Sequence, residues 1–196
     1  MERMTVNSPR NPTSVPLVDQ LARRWSPRGF DVHHVISDDD LTALGEAARW
    51  APSASNDQPT RFIVARRGTP TFELIHSTLR EPNQAWAGRA SALIVAIAVT
   101  SRDGRRLRFA EYDLGQAIAH LTVEAEARGL NVRQMGGFDV ESARTTFDLA
   151  SELMPVTVVA VGKHDASEAI PDAIRESDSA PRRRRELDDL TLVLDV

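Results

Sequence analysis

The sequence predicts an α+β fold with central strands that are covered on both faces of a sheet. Residues 93–99 are continuously aliphatic, and residues 156–161 are aliphatic except for Thr157, which is typical of strands buried on both sides. Between them lies the longest helical pattern of the chain, residues 109–128, with an apolar stripe that includes Leu114 and Leu121. Helices and strands mix without regular strand–helix–strand alternation, so the pattern favours α+β over a doubly wound parallel sheet.

The other elements are predicted from capping and turn residues. Ser37 is placed to cap a helix that begins at Asp38. That helix must end before Pro52, because the residue preceding a proline is disfavoured in the helical conformation. Further helices are predicted at residues 15–24, 70–79 and 140–149 and a strand at 62–65, with Gly129 as the C-cap of the long helix and Asp139 as the N-cap of the last helix.

Length and composition exclude several classes of protein. The 196 residues are 41% hydrophobic, enough for a single domain, which we place at residues 15–196. The 24 basic and 28 acidic side chains leave a formal net charge of −4, unlike the basic balance of dedicated nucleic-acid binders. Without cysteine there are no disulfides, thiolate metal sites or cysteine nucleophiles. The longest apolar run, residues 92–99, is far shorter than the ~20 residues of a spanning helix, so we expect a cytoplasmic protein.

The two ends of the chain differ from its middle. Residues 1–14 hold Asn, Ser, Pro and Arg without an apolar stretch, so they are predicted to be a disordered lead-in rather than a secretory signal. Residues 165–180 are polar and predicted to be loosely ordered, and they begin an extended tail, about 165–196. This tail contains an arginine run, residues 182–185, and an apolar segment, residues 190–194, that predicts a terminal strand. Such a strand needs a sheet edge on this chain or on a partner chain, and the second case would make a dimer.

The common catalytic and metal-binding motifs are absent. The sequence contains no G-x-x-x-x-G-K-[ST], G-x-G-x-x-G, G-x-S-x-G or H-E-x-x-H. Its five histidines include no helical i, i+4 pair, and the adjacent His33 and His34 would point in opposite directions in an extended segment. We therefore expect no metal site.

Three segments contain groups suited to a phosphate or to a flat heterocycle. Residues 24–30 place two arginines around Ser26, which suits a phosphate, although a charged helix end before a turn would use the same residues. Residues 51–59 offer hydroxyls and amides that could contact a heterocycle's edge or form a plain turn. Residues 135–138 contain paired glycines, which allow close approach of a ligand but equally serve a turn. Each segment alone leaves both alternatives open.

Five pieces of sequence, taken in order, carry a resemblance to a known family. They are Arg-x-Ser-x-Arg from Arg24, Ala-Pro-Ser-x-x-Asn-x-Gln-Pro from Ala51, Asn83-x-x-Trp86, Asp113-Leu114-Gly115-Gln116-Ala117, and Val158-Val159-Ala160-Val161-Gly162 after Pro155. In this order the chain resembles a compact member of the FMN-dependent nitroreductase family, from about Leu17 to its end. Two departures are Trp25, where a basic residue is common, and Thr60, which replaces the usual aromatic residue.

The resemblance implies a homodimer that binds FMN at the subunit interface. It implies a central mixed sheet flanked by helices, and a C-terminal strand, residues 190–194, that is exchanged with the partner's sheet. The phosphate would be held by Arg24, Ser26, Arg182 and Arg184, and the pyrimidine edge of the flavin would lie near Arg28 and Asn83. Pro52, Ser53 and Ala54 would pack on the ring from the other subunit, and Gly136 and Gly137 would supply amides near the flavin N5. The predicted cofactor-binding set is completed by Trp25, Asn56 and Met135.

The implied function is hydride transfer from NADH or NADPH, through FMN, to a nitroaromatic, quinone or similar electrophilic acceptor by a ping-pong mechanism. The flavin supplies the chemistry, so no catalytic side chain is expected. The expected partners are a second copy of the chain and a small-molecule acceptor, with neither nucleic acid nor membrane. One alternative keeps the fold and FMN but carries out flavin breakdown or dehalogenation. Relatives with those activities usually have a lid over the flavin, and the short connection at residues 101–108 counts against one here. The other is a non-enzymatic module that binds nucleic acid through residues 182–185 and would be colourless.

Overall fold

The α+β class is confirmed by the structure, a computed structural model that describes residues 11–193. Its helices are α1 (Asp19–Arg23), α2 (Asp38–Arg49), α3 (Pro70–Ser77), α4 (Glu81–Ala87), α5 (Ala110–Ala127), α6 (Val140–Thr146) and α7 (Asp172–Ser179). The strands are β1 (Thr60–Arg66), β2 (Ala92–Val99), β3 (Ser101–Arg102), β4 (Arg105–Arg106), β5 (Asn131–Met135) and β6 (Leu153–Gly162). Short 3₁₀ turns lie at Ala54–Asn56 and Leu187–Leu190.

The main sheet has four strands in the order β1-β2-β6-β5. All three strand pairs among them are antiparallel, which differs from the mixed sheet implied by the resemblance. The aliphatic runs had indicated burial on both faces, a property common to parallel sheets, but burial does not determine strand direction. Here helices on both faces bury antiparallel strands equally well.

The core consists of two layers, one on each face of this sheet. Ile94 and Ala96 of β2 pack with residues of α2 and α5, whereas the alternate residues Leu93 and Val95 pack with residues of α3, α4 and α6. Side chains alternate across a strand, so both residue sets of β2 are buried and the strand is aliphatic throughout. The two-sided burial expected of the aliphatic runs is thus confirmed for this strand.

The predicted helix caps are also confirmed. The Ser37 Oγ accepts a hydrogen bond from the Asp40 N–H at 3.0 Å, and the Asp139 carboxylate accepts one from the Ser142 N–H at 2.9 Å. Gly129 follows α5 with a φ of +72°, the left-handed conformation that ends many helices. The beginnings of α2 and α6 and the end of α5 are therefore determined by local sequence.

We expect Gly129→Ala to lower the free energy of unfolding by about 1 kcal/mol, because a side chain at positive φ is strained. Asparagine tolerates this conformation, so Gly129→Asn should lose less. Urea denaturation of both variants measures the difference. Equal losses for alanine and asparagine would show that the backbone conformation is not the cause.

The first predicted helix, residues 15–24, was too long, since α1 covers only Asp19–Arg23. Val18 precedes it with a ψ of 143°, and no side chain caps the helix. The Asn11 N–H donates to the Ala22 carbonyl at 3.1 Å, which places the preceding segment along α1. The predicted disordered lead-in falls largely on residues 1–10, which lie outside the described residues, so it stays a prediction.

The C-terminal tail differs from its prediction in one respect. The loosely ordered segment predicted at 165–180 contains α7, which is held in place by the buried side chains of Ile170 and Asp178. Residues 190–193 form no strand within the single chain, and Leu194 lies outside the described residues, so the strand exchanged with a partner chain stays a prediction. No helix between residues 11 and 193 has the length and apolarity to cross a membrane.

Candidate cofactor-binding site

A basic cavity lies between α1 and the C-terminal tail. Its volume is about 560 Å³, and its lining includes Arg24, Arg182, Arg184 and Arg185 together with Glu186. The Arg182 guanidinium donates to the Arg24 carbonyl at 2.6 Å, which joins the tail to the end of α1. Burial lowers the pKa of Arg24, and the nearby charge of Arg184 lowers it further. Four guanidinium groups around one carboxylate make this cavity suitable for an anion.

The segment that follows α1 is held by α7. The Asp178 carboxylate accepts hydrogen bonds from the backbone N–H of Arg28 at 3.0 Å and from that of Gly29 at 2.8 Å. The Arg28 guanidinium donates to the Ser177 Oγ at 2.9 Å. A Cβ at Gly29 would lie 2.9 Å from the Asp165 carbonyl oxygen, so glycine permits the close approach. The C-terminal tail thus fixes the backbone that carries Arg28.

Trp25 and Ser26 contact the body of the domain. Trp25 is 8% exposed, and its ring meets the His164 ring edge-on with centroids 4.8 Å apart. The Ser26 carbonyl accepts a hydrogen bond from the Arg133 guanidinium of β5. The buried ring therefore fixes the position of the intervening backbone, so that Arg24 and Ser26 lie on either side of a packed residue.

Asn83 and the glycine pair form a second part of the site. The Asn83 Nδ2 donates to the Gly137 carbonyl at 3.0 Å, and the Arg80 N–H donates to the same oxygen at 3.0 Å. A Cβ at Gly137 would lie 2.6 Å from the Asn83 Nδ2, whereas one at Gly136 would meet nothing within 4 Å. Met135 is buried at the end of β5 and leads directly into this turn. The structure therefore brings together Asn83 and the glycines that the sequence analysis had singled out.

The loop of Pro52, Ser53, Ala54 and Asn56 lies elsewhere. The Ala54 N–H donates to the carboxylate of buried Asp113 at 3.1 Å, and the Ser53 Oγ accepts from the Gln58 N–H at 3.0 Å. Pro52 and Ser53 line a cavity of about 220 Å³ among α2, β1 and α5. The loop leads into β1 at one edge of the sheet, whereas Arg133, which contacts Ser26, belongs to β5 at the other edge. The predicted site residues thus form two separate groups.

Three residues to which the sequence analysis gave no role in the site support these groups. Asp113 holds the Ala54 loop, Asp178 holds the Arg28 segment, and Arg133 contacts Ser26 from β5. The short polar stretch of β5 gave no strong strand signal, because only one face of an edge strand need be apolar. Arg133 stands two positions before Met135, the first residue of the glycine-pair segment, but nothing in the sequence shows that it contacts Ser26.

Several acidic side chains in the described structure pair with arginines or backbone amides. Asp57 pairs with Arg105 of the β3–β4 hairpin, and this hydrogen bond lowers the pKa of Asp57. Between residues 11 and 193 there is no cluster of three or more His, Cys, Asp or Glu side chains that could hold a metal ion.

The chain is similar to known proteins in sequence and in fold. The sequence model of the nitroreductase family matches residues 21–163. A solved structure described as an oxidoreductase containing FMN is 31% identical, covers 96% of each chain and superposes with a TM-score of 0.87. An uncharacterized 15.4 kDa protein of Mycolicibacterium smegmatis is 40% identical over 136 residues, 65% of this chain and 91% of that protein. A Bacillus subtilis protein named "Putative NAD(P)H nitroreductase YodC" is 25% identical over 181 residues, 74% of this chain and 88% of its own length. Because the family model covers well over half of the sequence, the chain belongs to the nitroreductase family.

Proposed function

We propose that the protein is an FMN-dependent NAD(P)H oxidoreductase that reduces nitroaromatic, quinone or similar electrophilic small molecules. The observation that carries the proposal is the arginine-lined cavity, which places Arg24 and Arg184 around one space despite their distance in sequence. The similarity to the oxidoreductase described as containing FMN extends over nearly the whole of both chains, which supports the same cofactor here. The phosphate group of FMN would enter the arginine-lined cavity.

The donor groups present fit FMN. Arg24, Arg182 and Arg184 would hold the phosphate through charge-assisted hydrogen bonds, and Arg28 and Asn83 would donate to the flavin's polar edge. Gly136 leaves open space beside the backbone, which suits the approach of a flat ring. When bound, the flavin supplies the hydride-transfer chemistry, and the protein supplies binding, orientation and electrostatics.

This chain's residues would act mainly by position and charge. Asp178 holds the Arg28 backbone, which limits how far the Arg28 guanidinium can move. A charge that is already in position before the reaction stabilises the charge that develops on the cofactor most effectively. The electron donor and the acceptor would occupy the same space in turn, which gives ping-pong kinetics. No side-chain acid or base is assigned to the transfer.

A homodimer completes the proposal. The Pro52–Ser53–Ala54 loop lies at the sheet edge opposite to β5, so it would contact the flavin held by a second subunit rather than its own. Leu190 and Leu192 are 67% and 98% exposed in the single chain, which is unfavourable for two large apolar side chains so close in sequence. Both features support a partner chain that covers the tail and shares the cofactor.

The two alternative functions have less support. The connection after β2 is a hairpin whose strands have two residues each, which offers little to cover a flavin for breakdown or dehalogenation chemistry. A nucleic-acid-binding role for residues 182–185 does not account for the hydrogen bond from Arg182 to the Arg24 carbonyl, nor for the cavity that Arg24 and Arg184 line together.

We expect the protein to purify yellow, with FMN released intact on denaturation and identified by mass spectrometry. Addition of NADH or NADPH without oxygen should bleach the flavin absorbance, and an added quinone should restore it. A colourless protein that takes up no added FMN would overturn the proposal. If it then bound nucleic acid with a steep salt dependence, the binding module would be the better description.

A further inference from the structure

Arg133 connects the two parts of the candidate cofactor site. It lies on β5, and its guanidinium donates to the Ser26 carbonyl. The same guanidinium lies over the face of Trp86, with its central carbon 5.5 Å from the ring centroid. Trp86 stands one helical turn after Asn83 on α4. Arg133 therefore occupies the space between the Arg24–Arg28 segment and the helix that carries Asn83.

The surroundings of Arg133 are rich in donors and poor in acceptors. Burial lowers the pKa of Arg133, the charge of Arg28 lowers it further, and only Asp178 acts in the opposite direction. Asp178 already accepts hydrogen bonds from the Arg28 and Gly29 amides. No carboxylate in the described part of the chain lies within ion-pair distance of Arg133.

A second observation at this place indicates a missing acceptor. The Trp86 side chain is 2% exposed, and its Nε1 is buried without a hydrogen-bond partner among the described residues. A half-buried guanidinium near a second cation and a buried indole N–H without a partner each cost free energy, and an anion or another acceptor at this place would reduce both costs.

We infer that Arg133 is a second cation beside Arg28 at the pyrimidine edge of the flavin and that it favours the reduced cofactor. This inference rests on the proposed function. The reduced flavin carries negative charge at that edge and the oxidised flavin does not, so a nearby cation binds the reduced form more tightly. Tighter binding of the reduced form raises the midpoint potential of the bound flavin.

The test compares midpoint potentials of bound FMN in the full-length holoprotein, measured by equilibration with a redox dye. Arg133→Met removes the charge, Arg133→Gln keeps a donor for the Ser26 carbonyl without the charge, and Arg133→Lys keeps the charge. We expect Met and Gln to weaken reduced FMN about tenfold more than oxidised FMN, which lowers the two-electron potential by about 30 mV. Lysine should retain most of the wild-type potential.

The matched control is Arg66→Gln, which removes an arginine from the end of β1 farthest from the Pro52–Ser53–Ala54 loop, where it pairs with Asp38. This control should leave the potential unchanged. If Met and Gln weaken both redox states of FMN equally, or leave both unchanged, Arg133 only supports the backbone and the inference is overturned. A wild-type protein that binds no FMN would instead overturn the proposed function itself. Should Arg133→Met fail to fold, the Gln and Lys variants alone decide the outcome.

Discussion

Deletion of residues 187–196 is expected to abolish the dimer and to leave the protein with little bound FMN. Leu187, Leu190, Leu192 and Val193 are all at least 67% exposed in the single chain. Several large apolar side chains exposed within one short segment are typical of an interaction site. If the tail joins the partner's sheet, its removal uncovers that edge and separates the loop of Pro52 from the cofactor that it contacts.

The deletion retains Arg182 and Arg184, so any loss of flavin would not come from loss of the phosphate-binding arginines. Sedimentation analysis gives the oligomeric state, and the ratio of flavin to protein absorbance gives the cofactor content. In the full-length chain, Leu190→Asp with Leu192→Asp should reproduce the loss, whereas Asp188→Ala with Asp189→Ala should not. A truncated protein that stays dimeric and fully loaded would show that the tail packs elsewhere.

The sequence predicted best those elements whose signals are local or strongly periodic. β2 and α5 follow from an uninterrupted aliphatic run and a long apolar stripe, and Ser37 and Asp139 cap the helices where they were expected. The extent of α1 was predicted poorly, because it has no capping side chain and no buried residue. Helix α7 was missed because its order depends on contacts of Asp178 with a distant segment.

The candidate site was likewise predictable where its signals are local in sequence and not where they depend on contacts between distant segments. Residue types identified Arg24 and Ser26 as ligand-binding candidates, but only the resemblance to a family added Asn83 and grouped them with Arg184. Arg133 and Asp178 could not be identified from sequence, because their importance arises from neighbours brought together by folding. The hydrophobic pattern indicated burial on both faces of the sheet and carried no information on strand direction.

Replacement of either Arg24 or Arg184 by alanine is expected to weaken FMN binding by roughly ten- to a hundredfold. A charge-assisted hydrogen bond contributes about 1.5–3 kcal/mol, which corresponds to that range of dissociation constants. Arg24 is partly buried and its pKa is lowered by burial and by Arg184, so a bound phosphate would relieve the repulsion between the two. Riboflavin has the same ring but no phosphate, and its weaker binding should barely change in either variant.

The matched control is Arg183→Ala, since Arg183 is exposed and lies outside the lining of the basic cavity, although it is adjacent in sequence to Arg184. Arg182 is a poorer control because its guanidinium also holds the Arg24 carbonyl. Dissociation constants for FMN and riboflavin, measured by flavin fluorescence for the three variants, decide the question. Equal losses for both ligands would mean that the arginines support the fold rather than the phosphate. Equal losses in Arg184→Ala and Arg183→Ala would mean that the run acts only through its general positive charge.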